Sequence, residues 1–227
     1  MKFLNLLFLA LMLITEPALA SEVSGYPTAI AMTVDERRQQ IAAATDNTDT
    51  QQQRIAWLAE LANITAESSR DEQRIQQLQH TLTQALKASP EDAELMAALG
   101  SLLSYQSSLH TDNLAKLNVL MRKGTRYMDR AIKQAPHHLG ARLQRGIACA
   151  NMPAFVKRAH FAVQDLTMVR EQVGQRYGAD FLAFVEYYLG QALLRNGEPD
   201  AARQVWQGID QHAEQWSTKA QQALAAL

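Results

Sequence analysis

The run Ala85, Leu86, Lys87, Ala88, Ser89, Pro90 has a glycine ten residues beyond its proline, Gly100, and the same arrangement returns 46 positions later as Ala131, Ile132, Lys133, Gln134, Ala135, Pro136 and Gly146. Proline lacks the backbone donor that an inner helical turn requires, so each run reads as a helix end followed by a turn. Glycine inside helical sequence lowers helix propensity, and a helix keeps it where another element approaches too closely for a side chain. An in-register return of both signals predicts a chain of helical hairpins stacked on one another. The expected fold class is all-α.

The first twenty residues read as a secretory signal: Lys2 supplies a positive start, Phe3 to Ile14 forms an apolar run broken only by Asn5, and Ala18, Leu19, Ala20 offer small residues for cleavage. Crossing a bilayer takes roughly 18 to 20 apolar residues, and Thr15, Glu16 and Pro17 cut this run at about 12. Cleavage before Ser21 and a periplasmic location are therefore expected in place of a membrane anchor. No cysteine follows the cleavage site, so a lipoprotein is not expected. The single cysteine, Cys149, has no intrachain partner and sits among Ile147, Ala148 and Ala150, the setting of a small packing residue. The balance of 22 basic and 23 acidic residues gives no sign of nucleic acid or an anionic membrane as the main partner.

Residues 21–32, with Gly25 and Pro27, read as a flexible, extended leader, and 33–227 as one helical domain with a repeat-like core over about 75–215. Thr33 and Glu36 have capping-box spacing and open a first helix that fades near Thr45. A second is expected from about Gln51 to Glu67. Ser69 and Glu72 repeat the capping spacing before the stripe Ile75, Leu78, Leu82 that ends at Pro90, and a fourth helix runs from Glu91 to about Tyr105. From Asp112 to Ala135, apolar residues recur every three or four positions while Lys116, Arg122, Lys123, Arg126, Arg130 and Lys133 take other faces, an amphipathic helix with a basic outer side. A sixth covers about His138 to Ala150. Pro153 suits the first turn of a seventh that carries Phe155, Ala159, Ala162 and Leu166 inward. An eighth stops at Asn196 and Gly197, and two more carry Trp206 and Trp216. No stretch has the two-residue alternation of a strand.

The segment Tyr188, Leu189, Gly190, Gln191, Ala192, Leu193, Leu194, Arg195, Asn196, Gly197, Glu198, Pro199, Asp200, Ala201, Ala202 resembles a tetratricopeptide (TPR) repeat. Leu99 with Gly100 matches the same pair, Gly146 matches its glycine with Arg145 in place of the leucine, and the two alanine-to-proline runs look like the end of the family's second helix. The intervals of 46 and 44 residues exceed the family's roughly 34. Met96, Arg142 and Glu186 stand where the family has its first-helix aromatic. The resemblance thus implies antiparallel hairpins in a short, irregular TPR-like solenoid whose first helices line a concave groove.

Carried over position by position, the resemblance assigns to that groove Ala97, Ser101, Ser104 and Tyr105, then Leu143, Ile147 and Asn151, then Tyr187, Gln191 and Arg195. Aromatics and amides suit an extended peptide or protein segment. Relatives that clamp a C-terminal carboxylate use lysine, arginine and asparagine where this chain has Ala97, Leu143 and Ser101, so that ligand is not implied. The implied function is a non-catalytic adaptor or scaffold for an envelope protein or peptide. A small-molecule carrier or accessory subunit of an envelope transport system is the alternative. Arg142, Arg145, Lys157, Arg158, His160 and Arg170 make the segment around Pro153 locally basic; they form either an anion site or structural pairs in which Arg145 or Arg158 meets Asp165. His137 and His138 lack companions at ligand spacing, so no metal site and no cofactor are expected. No nucleophile elbow, phosphate loop or metalloprotease motif appears, and no enzyme is expected.

Overall fold

The computed structural model describes residues 23–227 other than Asp46 and Gln175; the expected signal segment, 1–20, lies outside them. Among the described residues the chain is all-helical: α1 (Thr28–Ala31), α2 (Val34–Ala43), α3 (Thr50–Ala66), α4 (Glu72–Ala88), α5 (Ala93–Ser108), α6 (Leu114–Gln134), α7 (Leu139–Asn151), a short 3-10 helix (Ala154–Val156), α8 (Ala159–Val173), α9 (Ala179–Arg195), α10 (Pro199–Gln207) and α11 (Glu214–Ala225). No described helix is long and apolar enough to cross a membrane.

Side chains start six successive helices by accepting an N–H that no preceding turn can satisfy: Thr33, Asp49, Asp71, Asp92, Asn113 and His138 cap α2 to α7. At α2 the pairing is reciprocal, Glu36 accepting the Thr33 N–H at 2.7 Å. The expected cap at Ser69 is corrected to Asp71. Ser69 belongs to the end of α3, because Ser68 turns left-handed (φ 51°) and the Ser69 N–H closes back on Ile64 O at 3.0 Å. Gly197 ends α9 in the same way, with φ 86° and Glu198 N–H on Leu193 O at 2.9 Å. A second correction concerns Phe155. Lys157 is left-handed (φ 56°), so the helix begun after Pro153 stops after one turn, α8 starts only at Ala159, and Phe155 points outward.

Where Gly100 crosses α6, a Cβ would lie 2.6 Å from Gly124 O and 2.6 Å from Met128 Cγ; a Cβ on Gly124 would lie 2.5 Å from Ser104 Oγ. Position 100 meets 124 and 128 while 104 meets 124, so the two helices run antiparallel at backbone contact. Gly146 of α7 faces Leu166 of α8, a Cβ there lying 2.8 Å from Leu166 Cγ, and Gly190 of α9 faces the Trp206 ring of α10. Each of the three glycines therefore sits in one helix where the next α-helix crosses it. α5 also packs on α7, and α7 on α9, with α11 closing against α9 and α10. The core is divided along the chain. One cluster joins α3, α4 and α5 through Leu58, Leu61, Leu82 and Leu102; a small one of Ala93, Ala97, Ala131 and Ala141 bridges to α7; the largest runs from Met128 to Ala220.

From Val23 on, the segment expected to be a flexible leader is held against α7. Ser24 N–H meets His137 O at 3.2 Å, and Ser24 O and Gly25 O accept from Leu139 and Gly140 at 2.9 and 2.7 Å. Gly25, at φ 61°, lies on the His138 ring, which leaves no room for a side chain, and the Tyr26 ring carries the Arg176 guanidinium at 4.0 Å. Backbone pairing and stacking fasten this segment, and sequence periodicity registers neither.

Candidate functional site

The arginine cluster near Pro153 is built from three elements. α7 presents Arg142 and Arg145 one turn apart, α8 presents Asp165, and α6 presents Asp129. Arg145 donates through Nε to Asp165 Oδ2 at 2.6 Å and through a terminal nitrogen to Oδ1 at 2.9 Å, a two-pronged pair, while Arg142 reaches the same Oδ1 at 2.6 Å. Asp165 is 0% exposed. Burial pushes its carboxyl above the ordinary carboxylate range, against the pull of Arg145 and Arg142. Arg158 pairs with Asp129, at 2.9 Å for one nitrogen and with a second nitrogen also bonded, and Arg145 reaches Asp129 at 3.3 Å. Both guanidiniums lie over the Phe161 ring, at 4.8 and 4.1 Å for Arg145 and Arg158. Of the two arginines read as partners of Asp165, the structure gives it Arg145 and turns Arg158 to Asp129. The signal that could have shown this is that Asp129 is the one carboxylate in the basic stretch 113–135. Arg142 spends its Nε on Pro136 O, so the donors of Arg142 and Arg145 named here end on acceptors of the chain itself, while Arg158 Nε is buried with no hydrogen-bond partner among the described residues. Cys149 is buried beside it, and burial pushes its thiol up.

The residues assigned to a groove do not all share one open face. Ser101, Ser104, Leu143 and Ala97 are buried. Ser104 faces Gly124 across the α5–α6 crossing and bonds Gly100 O at 3.0 Å, and Leu143 lies in the core. These are corrected to interior positions: one residue turns a helix by about 100°, enough to take a side chain from an open face into a helix contact. Tyr105, half-buried, donates to Ser69 O at 2.8 Å and so ties α5 to the α3–α4 turn.

Ile147, Asn151, Tyr187, Gln191 and Arg195 also keep exposed surface, and they meet where α7 ends beside α9. Tyr187, Gln191 and Arg195 follow one another at four-residue spacing along α9. Arg195 donates to Met152 O at 2.5 Å, and Asn151 lies against the Tyr188 hydroxyl. Burial, helped by Tyr187, pushes the Tyr188 phenol up to about 12. The face continues in aromatic rings: Phe184 meets Tyr188 at 5.2 Å and Trp216 at 5.1 Å, and Tyr187 meets Trp216 at 5.6 Å. Lys219 rests its ammonium 4.3 Å from the Trp216 ring. The sequence reading missed Trp216 and Lys219; their spacing of three in the last helix puts them on one face, but only the packing of α11 on α9 joins that face to Tyr187. At the other end of the stripe, Gln191 Oε1 is buried without a hydrogen-bond partner among the described residues.

His138, weighed as a metal ligand, caps α7 by accepting the Ala141 N–H on Nδ1 at 3.3 Å, and burial lowers its pKa. No group of three metal-ligating side chains occurs among the described residues. Comparison of the chain with family models, with curated proteins and with solved structures finds no match.

Proposed function

We propose that this chain is a TPR-like array of helical hairpins serving as a non-catalytic adaptor, and that it holds an extended segment of a partner protein along the α9 face bordered by α7 and α11. The observation that carries the reading is the aromatic stripe Phe184, Tyr187, Tyr188, Trp216 along this face. Half-buried aromatics anchor the side chains of an extended peptide. The equivalent placing of Gly100, Gly146 and Gly190 supports the repeat. Export through residues 1–20 into the periplasm, followed by cleavage near Ser21, belongs to the same proposal. A small-molecule carrier has less support: the hollows beside Pro90 and beside Phe155, of about 240 and 350 Å³, are open to the surface.

Peptides selected against the purified chain from a random display library test the groove. Binding is expected to fall tenfold or more with Tyr187→Ala and several-fold with Gln191→Ala, but to survive Tyr105→Phe. Selected peptides that bind all three variants as tightly as the parent chain would overturn the assignment.

A further inference from the structure

α6 runs past the end of its partner. Gly124 lies opposite Gly100 and Ser104; from there α6 extends back ten residues to Leu114, about 15 Å, while from the middle of that contact α5 extends about six residues to Ser108, about 9 Å. The first turns of α6 therefore project from the bundle, carrying Leu114, 68% exposed, and Val119, 65% exposed. Beside them the 3-10 turn lifts Phe155 into solvent at 78% exposure. A hollow lined by Asn118, Met121, Phe155 and Val156 shows that this turn and α6 are neighbours.

The same edge is strongly basic although the whole chain carries a net charge of −1. Residues 113–128 and 151–164 contain no carboxylate. Among the described residues, Lys116, Arg122, Lys123, Arg126 and Lys157 have no ion-pair partner. We propose that this edge docks the protein on an anionic phospholipid surface, with Phe155, Leu114 and Val119 entering the headgroup boundary and the five cations meeting lipid phosphates. A lipid surface fits better than an acidic protein because the three apolar side chains stand singly on projections. A rigid partner would need a matching recess for each, whereas a bilayer surface yields to all of them. Lysine and arginine flanking an exposed aromatic hold their charges at headgroup level while their stems lie in the boundary.

Sedimentation of the full-length chain with vesicles of phosphatidylcholine alone, and of phosphatidylcholine mixed with phosphatidylglycerol, tests this. The apolar run near the N-terminus contributes to both, so the readout is the ratio of the two affinities. At about fivefold per cation near an anionic surface, Arg122→Ala combined with Lys123→Ala is expected to lower the ratio about 25-fold. Phe155→Ser is expected to weaken binding to the mixed vesicles about tenfold, and Val34→Ser, on a distant exposed site, to change nothing. All four substituted residues lie on the surface, and unchanged thermal melts of the three variants verify the fold. A ratio near one for the parent chain, or one unaffected by the double substitution, would overturn the proposal. So would loss, in the same variants, of binding to an acidic peptide with no vesicle preference in the parent chain.

Discussion

Asp165 is completely buried, yet three guanidinium N–H groups from two arginines reach its two oxygens. Removing one member of a buried ion pair leaves the other charged without compensation, at a cost of roughly 3 to 5 kcal/mol. Asp165→Ala is accordingly expected to lose that much in urea unfolding and Arg145→Met nearly as much, while Arg142→Met, at the more exposed edge, loses less. An anion site would respond differently: Arg145→Met would keep its stability and lose a ligand. Arg54 ties α3 to the start of α5 through two carboxylates with opposite pH behaviour. Burial raises the Asp92 carboxyl, but Arg54 and the Leu95 N–H together hold it below its ordinary 3.8; at Glu94 burial prevails over Arg54 and its value lies above 4.5. A lowered carboxyl adds stability that is complete above its unfolded value and fades as pH falls through the folded one. A raised carboxyl adds stability present below its unfolded value that fades as pH rises through the folded one. Asp92→Asn should therefore flatten the acid limb of stability against pH and cost more at neutral pH than Glu94→Gln, which should abolish a decline beginning near 4.5. Urea unfolding across a pH series checks both, and equal losses at neutral pH would contradict the account.

At the scale of elements, a glycine in a helix trades propensity for proximity. Replacing Gly100 by alanine would gain up to about 1 kcal/mol of helix propensity, but its Cβ would stand 2.6 Å from Gly124 O, backbone that cannot rotate aside. Overpacking of this kind costs about 1 to 3 kcal/mol, so Gly100→Ala is expected to destabilise on balance. Gly208→Ala, whose Cβ would meet nothing nearer than 3.5 Å, should be neutral or stabilising, and chemical denaturation of the two variants distinguishes them. These crossings were legible in the sequence, because the prolines and glycines return in register and a helix tolerates glycine poorly without a reason. The helix starts were legible where a side chain caps locally, as at Thr33. They were misread at Ser69, where a left-handed residue at the end of the preceding helix had already claimed that position. Phe155 was read as inward from its periodicity with Ala159 and Ala162, a pattern that cannot register the left-handed Lys157 between them. Of the residues assigned to a groove, Tyr187, Gln191 and Arg195 share one stripe, as their four-residue spacing indicates, but the inward turn of Ser104 and Leu143 depends on the angle at which neighbouring helices cross.

Across the whole molecule, the core divides into a leucine-rich cluster at α3 to α5, an alanine-rich bridge, and a larger cluster from α6 to α11. In a stack whose units touch only their neighbours, damage to one unit stays local. A closed globule distributes it. Nothing in the sequence separates these two cases, since both bury the same residues and differ only in which ones meet over long distances. Leu61 is buried in the first cluster, so Leu61→Ala should cost about 2 to 5 kcal/mol there. Native-state hydrogen exchange of this variant, read segment by segment, tests the proposed serial stacking most directly. The account predicts faster exchange in α3 and α4 with protection in α9 to α11 unchanged; an equal rise in exchange along the whole chain would contradict it.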